Sequence, residues 1–143
     1  MRAFMRLRAI LRAWRRPTTL GARGEAAAAR FLRRLGYHIV ARGQRRSGAE
    51  ELDIVAVDHR TVVFVEVKTR NSDLAGSPES AVDAEKQRRL TRAALGFLKR
   101  HDLLDNSARF DVVAVTWPAG ERQPRIEHLI NAFPAIGDEQ KFR

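Results

Sequence analysis

At 143 residues, with 44% hydrophobic and 31% charged, the chain has the size and composition of one folded domain rather than a disordered tract. It has no cysteine, which excludes disulfides and thiolate metal centres and fits a reducing cytoplasm, and no apolar run long enough for a transmembrane segment. A formal charge of +10, mainly from arginine, points to a polyanionic partner, nucleic acid first and an anionic membrane surface second.

Residues 1–18 read as a basic amphipathic extension. Arg2, Arg6, Arg8, Arg12, Arg15 and Arg16 have no acid among them, while Phe4, Leu7, Ile10, Leu11 and Trp14 share one helical face. Over residues 1–16 this suits a nucleic-acid arm, a peripheral membrane contact, a transit peptide or a plain extension, and the pattern leaves all four open. The domain itself is expected over 19–133, with a tail at 134–143. An alanine-rich helix over 19–35 is capped by Thr18 or Thr19 and stopped by Gly36. Then follow a strand from Tyr37 to Ala41, a basic turn from Arg42 to Gly48, and a strand from Glu51 to Val57. After a turn over Asp58–Thr61 comes a β-branched strand from Val62 to Lys68, then a loop to residue 77. Pro78 suits the first turn of a helix running to Arg100, and strands from Phe110 to Trp117 and from Arg125 to Ile130 close the domain. The order α-β-β-β-α-β-β predicts an α/β sandwich with a central mixed sheet flanked by helices. Its early strands are hairpin-linked, and the strand after the long helix lies parallel to one of them.

The chemistry concentrates on two strands. A turn centred on His59-Arg60 sets Asp58 opposite Thr61 and Val57 opposite Val62. Continued, it sets Asp53 opposite Glu66 and Glu51 opposite Lys68. Two carboxylates with β-carbons ~5 Å apart repel, and a hard divalent cation is the natural compensation. Lys68 leaves the same face of its strand as Glu66, where an ammonium can polarise a water or stabilise a phosphoryl oxygen, and the Val67 carbonyl between them is a further donor. The competing arrangement is an exposed strand face with cross-strand salt pairs such as Glu51 with Lys68. Against it, Val62-Val63-Phe64-Val65 is apolar on both faces, as internal strands are.

Two helical residues join this picture. Glu25 shares a stripe with Ala28, Leu32 and Leu35. Lys86 shares one with Val82, Leu90 and Phe97. Edge residues of such stripes ordinarily reach out to water, but here they set an acid near the acidic pair and a base near a phosphate path. Arg42, Arg45 and Arg46 flank the turn before the acidic strand as candidate backbone contacts, and Arg70 follows Lys68. Arg88, Arg89, Arg92, Lys99 and Arg100 read as a solvated helix face, and Tyr37 and Trp117 as packing residues.

Gly24-Glu25 with Ala26–Leu35 and Gly36-Tyr37, Glu51-Leu52-Asp53-Ile54-Val55-Ala56, and Val63-Phe64-Val65-Glu66-Val67-Lys68-Thr69-Arg70 resemble the YraN-like family of predicted endonucleases. Lys86 and Arg109-Phe110-Asp111 continue the likeness, which covers about residues 20–130. Asp53 with Glu66-Val67-Lys68 is similar to the PD-(D/E)xK nuclease motif, which archaeal Holliday junction resolvases also use. The resemblance implies a restriction-endonuclease-like fold with a magnesium or manganese site. Asp53 and Glu66 would be ligands, Lys68 the catalytic base or polariser, and Glu25 an auxiliary acid. Glu51 matches the acid of the family's Gly-Glu-x-Asp segment, although Glu50 stands where the family has glycine. The expected activity is metal-dependent hydrolysis of phosphodiester bonds, in DNA before RNA and including branched DNA. Cutting a junction would call for a homodimer. The competing expectation is a nucleic-acid-binding module of the same fold without catalysis.

Overall fold

The computed structural model describes residues 19–44, 52–71, 82–137 and 142. The extension over 1–18, Arg45, Arg46, Glu51 and Pro78 lie outside the described residues. The elements are α1 (Leu20–Arg34), β1 (His38–Gln44), β2 (Leu52–Asp58), β3 (Thr61–Arg70), α2 (Ala84–Arg100), β4 (Ala108–Thr116) and β5 (Arg125–Phe133). The strands form one mixed sheet in the order β1-β2-β3-β4-β5. Only the β3–β4 pair is parallel, with α2 as its crossover. This is the α/β architecture expected from the element order, and it is consistent with a restriction-endonuclease-like fold. No helix among the described residues is long and apolar enough to cross a membrane.

β3 is the central strand, and its alternation divides the core. Val62 and Phe64 face α2, where Leu90, Ala94, Phe97 and Leu98 cover them. Val63 and Val65 face α1, where Ala28, Ala29 and Leu32 pack with Tyr37. A strand buried on both sides has no need of a polar face, which explains its unbroken apolar run. The β2–β3 hairpin has the expected register, from Asp58 opposite Thr61 to Ile54 opposite Val65. His59, at the turn, takes φ 55.

α1 is capped by Thr19, whose side chain accepts from Ala22 N. It ends at Leu35, and Gly36 follows at φ 94, a conformation that favours glycine. Leu35 does not continue the buried stripe of this helix: it is the C-cap and 54% exposed. α1 lies so close to β3 that a Cβ added at Gly24 would sit 2.8 Å from Cβ of Thr69. Rotating Thr69 cannot relieve a contact with its own Cβ, so helix or strand must move. Gly24→Ala is therefore expected to destabilise the fold by about 1–3 kcal/mol, despite alanine's better helix propensity. A urea midpoint equal to or above that of the wild type would contradict this packing.

Three element boundaries differ from the sequence expectation by three residues or more. β1 continues through Arg42, Gly43 and Gln44, so the supposed basic turn begins as strand; Gly43 accommodates this at φ 57. α2 starts at Ala84, with Val82 and Asp83 outside it, because Asp83 caps it by accepting from Lys86 N. β5 extends to Phe133, and beyond it Ile136 N–H donates to Thr91 Oγ1 while Ala135 is buried. Phe142 stacks on Phe110, its ring centroid 4.9 Å away, so residues after 133 also touch the core.

Candidate active site

The carboxylate of Glu66 is the centre of the site. It extends the Val62–Phe64 face of β3 towards α2, but as a charged group that is only 7% exposed. A buried carboxylate needs compensation. Lys86, in the first turn of α2, brings Nζ within 2.6 Å of its Oε1, and Lys68, two residues along β3, lies 3.2 Å from the same oxygen. The two sequence-selected lysines thus meet at one carboxylate. Lys86 is an ion-pair partner of Glu66.

Asp53 approaches from β2. Its Oδ2 accepts the Val67 N–H at 2.9 Å, so the side chain takes a backbone position in the ladder just beyond the Ile54–Val65 pair. Burial pushes the Asp53 carboxyl up from 3.8 to about 7, and the charge of Glu66, with a smaller push from Glu25, adds to this against the pull of the Val67 N–H. Asp53 therefore holds its proton to near neutrality beside the Glu66 carboxylate. Burial likewise lowers Lys68, and the neighbouring Lys86 ammonium lowers it further. Lys86 loses some proton affinity to burial, but its contacts with Glu66 and Lys68 outweigh this and raise it overall.

Glu25, from α1, holds Nε of Arg42, from β1, at 3.3 Å. Arg42 is therefore tied to the acidic side of the site rather than presented freely to solvent. Arg70 ends β3, where its carbonyl accepts the Trp117 N–H. Trp117 packs against the α1-side core with the Arg23 guanidinium 4.7 Å above its ring, and Tyr37 is buried there, so both act as packing residues.

No cluster of three or more His, Cys, Asp or Glu side chains forms a ready-made cage among the described residues. Asp53 and Glu66 nonetheless fit a hard cation that takes few protein ligands and keeps several waters, because two carboxylates from adjacent strands come together and burial with the neighbouring Glu66 charge keeps Asp53 protonated to about 7. The Val67 carbonyl leaves the same edge of the strand as the N–H that meets Asp53, and would be the third protein ligand.

A second polar cluster, overlooked as a unit in the sequence, stands nearer the hairpin end. Asp111 on β4 is fully buried, yet it accepts from Arg109 Nε at 3.0 Å, Arg109 Nη2 at 3.3 Å and Asn131 N at 2.9 Å, and lies 2.8 Å from His128 Nε2. Arg109 also donates to Tyr37 Oη at 2.9 Å and Asp58 Oδ2 at 3.1 Å. Burial favours the neutral form of Asp111, but His128, Arg109 and the Asn131 N–H outweigh it and hold the carboxyl below its usual range. Asp111 lies where the β4–β5 register shifts, and its contact with Asn131, at φ 52, ties that irregularity down. The members of the cluster come from α1's exit, β2, β4 and β5, so spacing along the chain could not reveal it.

The family model described as "Uncharacterised protein family UPF0102" matches residues 24–115, a stretch that carries Glu25, Asp53, Glu66, Lys68, Lys86, Arg109 and Asp111. A UPF0102 protein of Rhodopirellula baltica is 50% identical over 121 residues, covering 82% of this chain and 72% of that protein. One from Geobacter sulfurreducens is 52% identical over 114 residues, covering 80% and 88%. One from Chlorobium phaeobacteroides is 41% identical over 121 residues, covering 82% and 95%.

Proposed function

We propose that this chain, which belongs to the uncharacterised protein family UPF0102, is a cytoplasmic endonuclease that hydrolyses phosphodiester bonds of DNA with a divalent metal ion. The observation that supports this most is the buried Glu66 carboxylate, set against Asp53 from the next strand and against two lysines. Replacing buried ions by an apolar pair is often neutral or stabilising, so stability alone does not account for this cluster.

A bound magnesium or manganese ion would supply charge to the phosphate oxygens and acidify a water. Asp53 and Glu66 would hold it, with the Val67 carbonyl. Lys68, its proton affinity lowered by burial, is suited to orient the attacking water and to take or return a proton at Nζ. Glu25 keeps Arg42 beside the acids, and Arg42 and Arg70 would then meet the nucleic-acid backbone, with Arg45 and Arg46 in the adjoining segment. Cutting both strands of a branched junction would require two copies of the chain.

The test is a set of labelled single-stranded, duplex, flap and four-way-junction DNAs, incubated with magnesium, manganese or chelator. Cleavage of at least one of them, only with metal, is the expected result. Salt-sensitive binding to all of them without cutting would replace this reading with a non-catalytic binding module.

A pH effect follows from Asp53. Its carboxyl is raised in the fold relative to the unfolded chain, so its contribution to stability is complete below about pH 4 and is lost as pH rises through about 7. The metal-free protein should show a falling urea midpoint across that window. Asp53→Asn should flatten it, and saturating magnesium should remove it. A wild-type midpoint that is level across the window without metal would rule out the raised Asp53 carboxyl.

A further inference from the structure

Resting on the metal-dependent reading above, we infer that Lys86 is the resident counter-ion of Glu66, and that a divalent cation must displace its ammonium before it can bind that carboxylate. Lys86 is closer to Glu66 than Lys68 is, and both use Oε1, so the oxygen nearest the lysines already has its positive charge. A second cation at that carboxylate would lie within a few ångströms of two ammonium groups, and like charges at that distance repel strongly in a partly buried site. One ammonium has to leave. The two side chains are about equally exposed, 21% for Lys68 and 22% for Lys86, but Lys68 rises from β3, the same strand as Glu66, whereas Lys86 reaches across from the first turn of a separate element, α2, on a flexible stem. Once displaced, its ammonium stays beside the site and is free to pair with a phosphate.

This assigns Lys86 a role opposite in sign to that of a simple phosphate-binding lysine. Removing a phosphate ligand would weaken binding of DNA and leave metal binding as it was. Removing a competing counter-ion tightens metal binding.

The test is manganese binding to the full chain at neutral pH, read by calorimetry and by electron paramagnetic resonance of the free ion. The wild type, Lys86→Met, Lys86→Gln and Lys86→Arg are compared without nucleic acid. Lys86→Met and Lys86→Gln are expected to bind manganese about tenfold more tightly than the wild type, and Lys86→Arg, which keeps the charge, to bind as the wild type does. The same ranking should appear in the rise of melting temperature with manganese, which also reports whether each variant is folded. Equal or weaker binding by both neutral variants, with normal binding by the wild type, would overturn the counter-ion role and leave the metal site standing. No binding by the wild type or any variant would overturn the metal-dependent reading itself.

Discussion

Asp111→Ala is expected to destabilise the protein by about 3–5 kcal/mol, the range seen when one partner of a buried ion pair is removed. The carboxylate has no solvent exposure and accepts from Arg109 and Asn131 while meeting His128. Its loss leaves the Asn131 N–H and the His128 ring without their partner in the β4–β5 interface. Arg109 keeps Asp58 and Tyr37, so part of the arginine's charge remains compensated, which argues for the lower half of the range. Asp111→Asn keeps the shape but not the charge and should fall between the two. Because the carboxyl is held below its usual range, its contribution is present above about pH 4 and is lost as pH falls through the depressed value. The acid limb of the stability curve should accordingly be shallower in Asp111→Asn. Chemical denaturation across acid pH checks both points; a loss under ~1 kcal/mol for Asp111→Ala would mean that the cluster does not hold the sheet edge.

Lys68→Met should act on the reaction rather than on the fold. The ammonium shares Glu66 with Lys86, so its removal leaves that carboxylate with a counter-charge, and stability should change by no more than about 1 kcal/mol. If Lys68 handles the proton of the attacking water, cleavage should fall by at least about a hundredfold, the lower bound of general acid–base contributions. Metal binding should survive. Glu66→Ala should lose both activities, because it removes a ligand and leaves two ammonium groups without their shared anion. Single-turnover cleavage beside manganese calorimetry separates the two variants. Equal loss of metal binding in Lys68→Met would make it a structural residue of the metal site instead.

Much of this architecture was legible in the residues. The turn centred on His59-Arg60 fixed which side chains oppose each other in the hairpin, because register in a two-residue turn is geometric. The apolar run at Val62–Val65 marked β3 as internal. The helix-face positions of Glu25 and Lys86 told which way these side chains point but not what they meet. Periodicity is local, whereas the pairing of Lys86 with Glu66 depends on how far α2 slides along the sheet. The start of α2 at Ala84 is hard to read from the residues because its cap, Asp83, is one acid among several in that stretch. The extent of β1 was misread because a glycine between arginines resembles a turn, yet Gly43 at φ 57 lets the strand continue. The Asp111 cluster was out of reach for a different reason. Its members are individually ordinary, and only the tertiary fold makes them one network.

The most direct test of the central claim is cleavage of a labelled DNA substrate by the wild type and by a Glu66→Ala/Lys68→Ala double variant, each with magnesium and with chelator. The wild type should cut only with magnesium, and the double variant should not cut at all while still binding the DNA through its arginines. Cleavage by the double variant at the wild-type rate, or by the wild type in chelator, would contradict the assignment of Asp53, Glu66 and Lys68 as a metal-dependent active site.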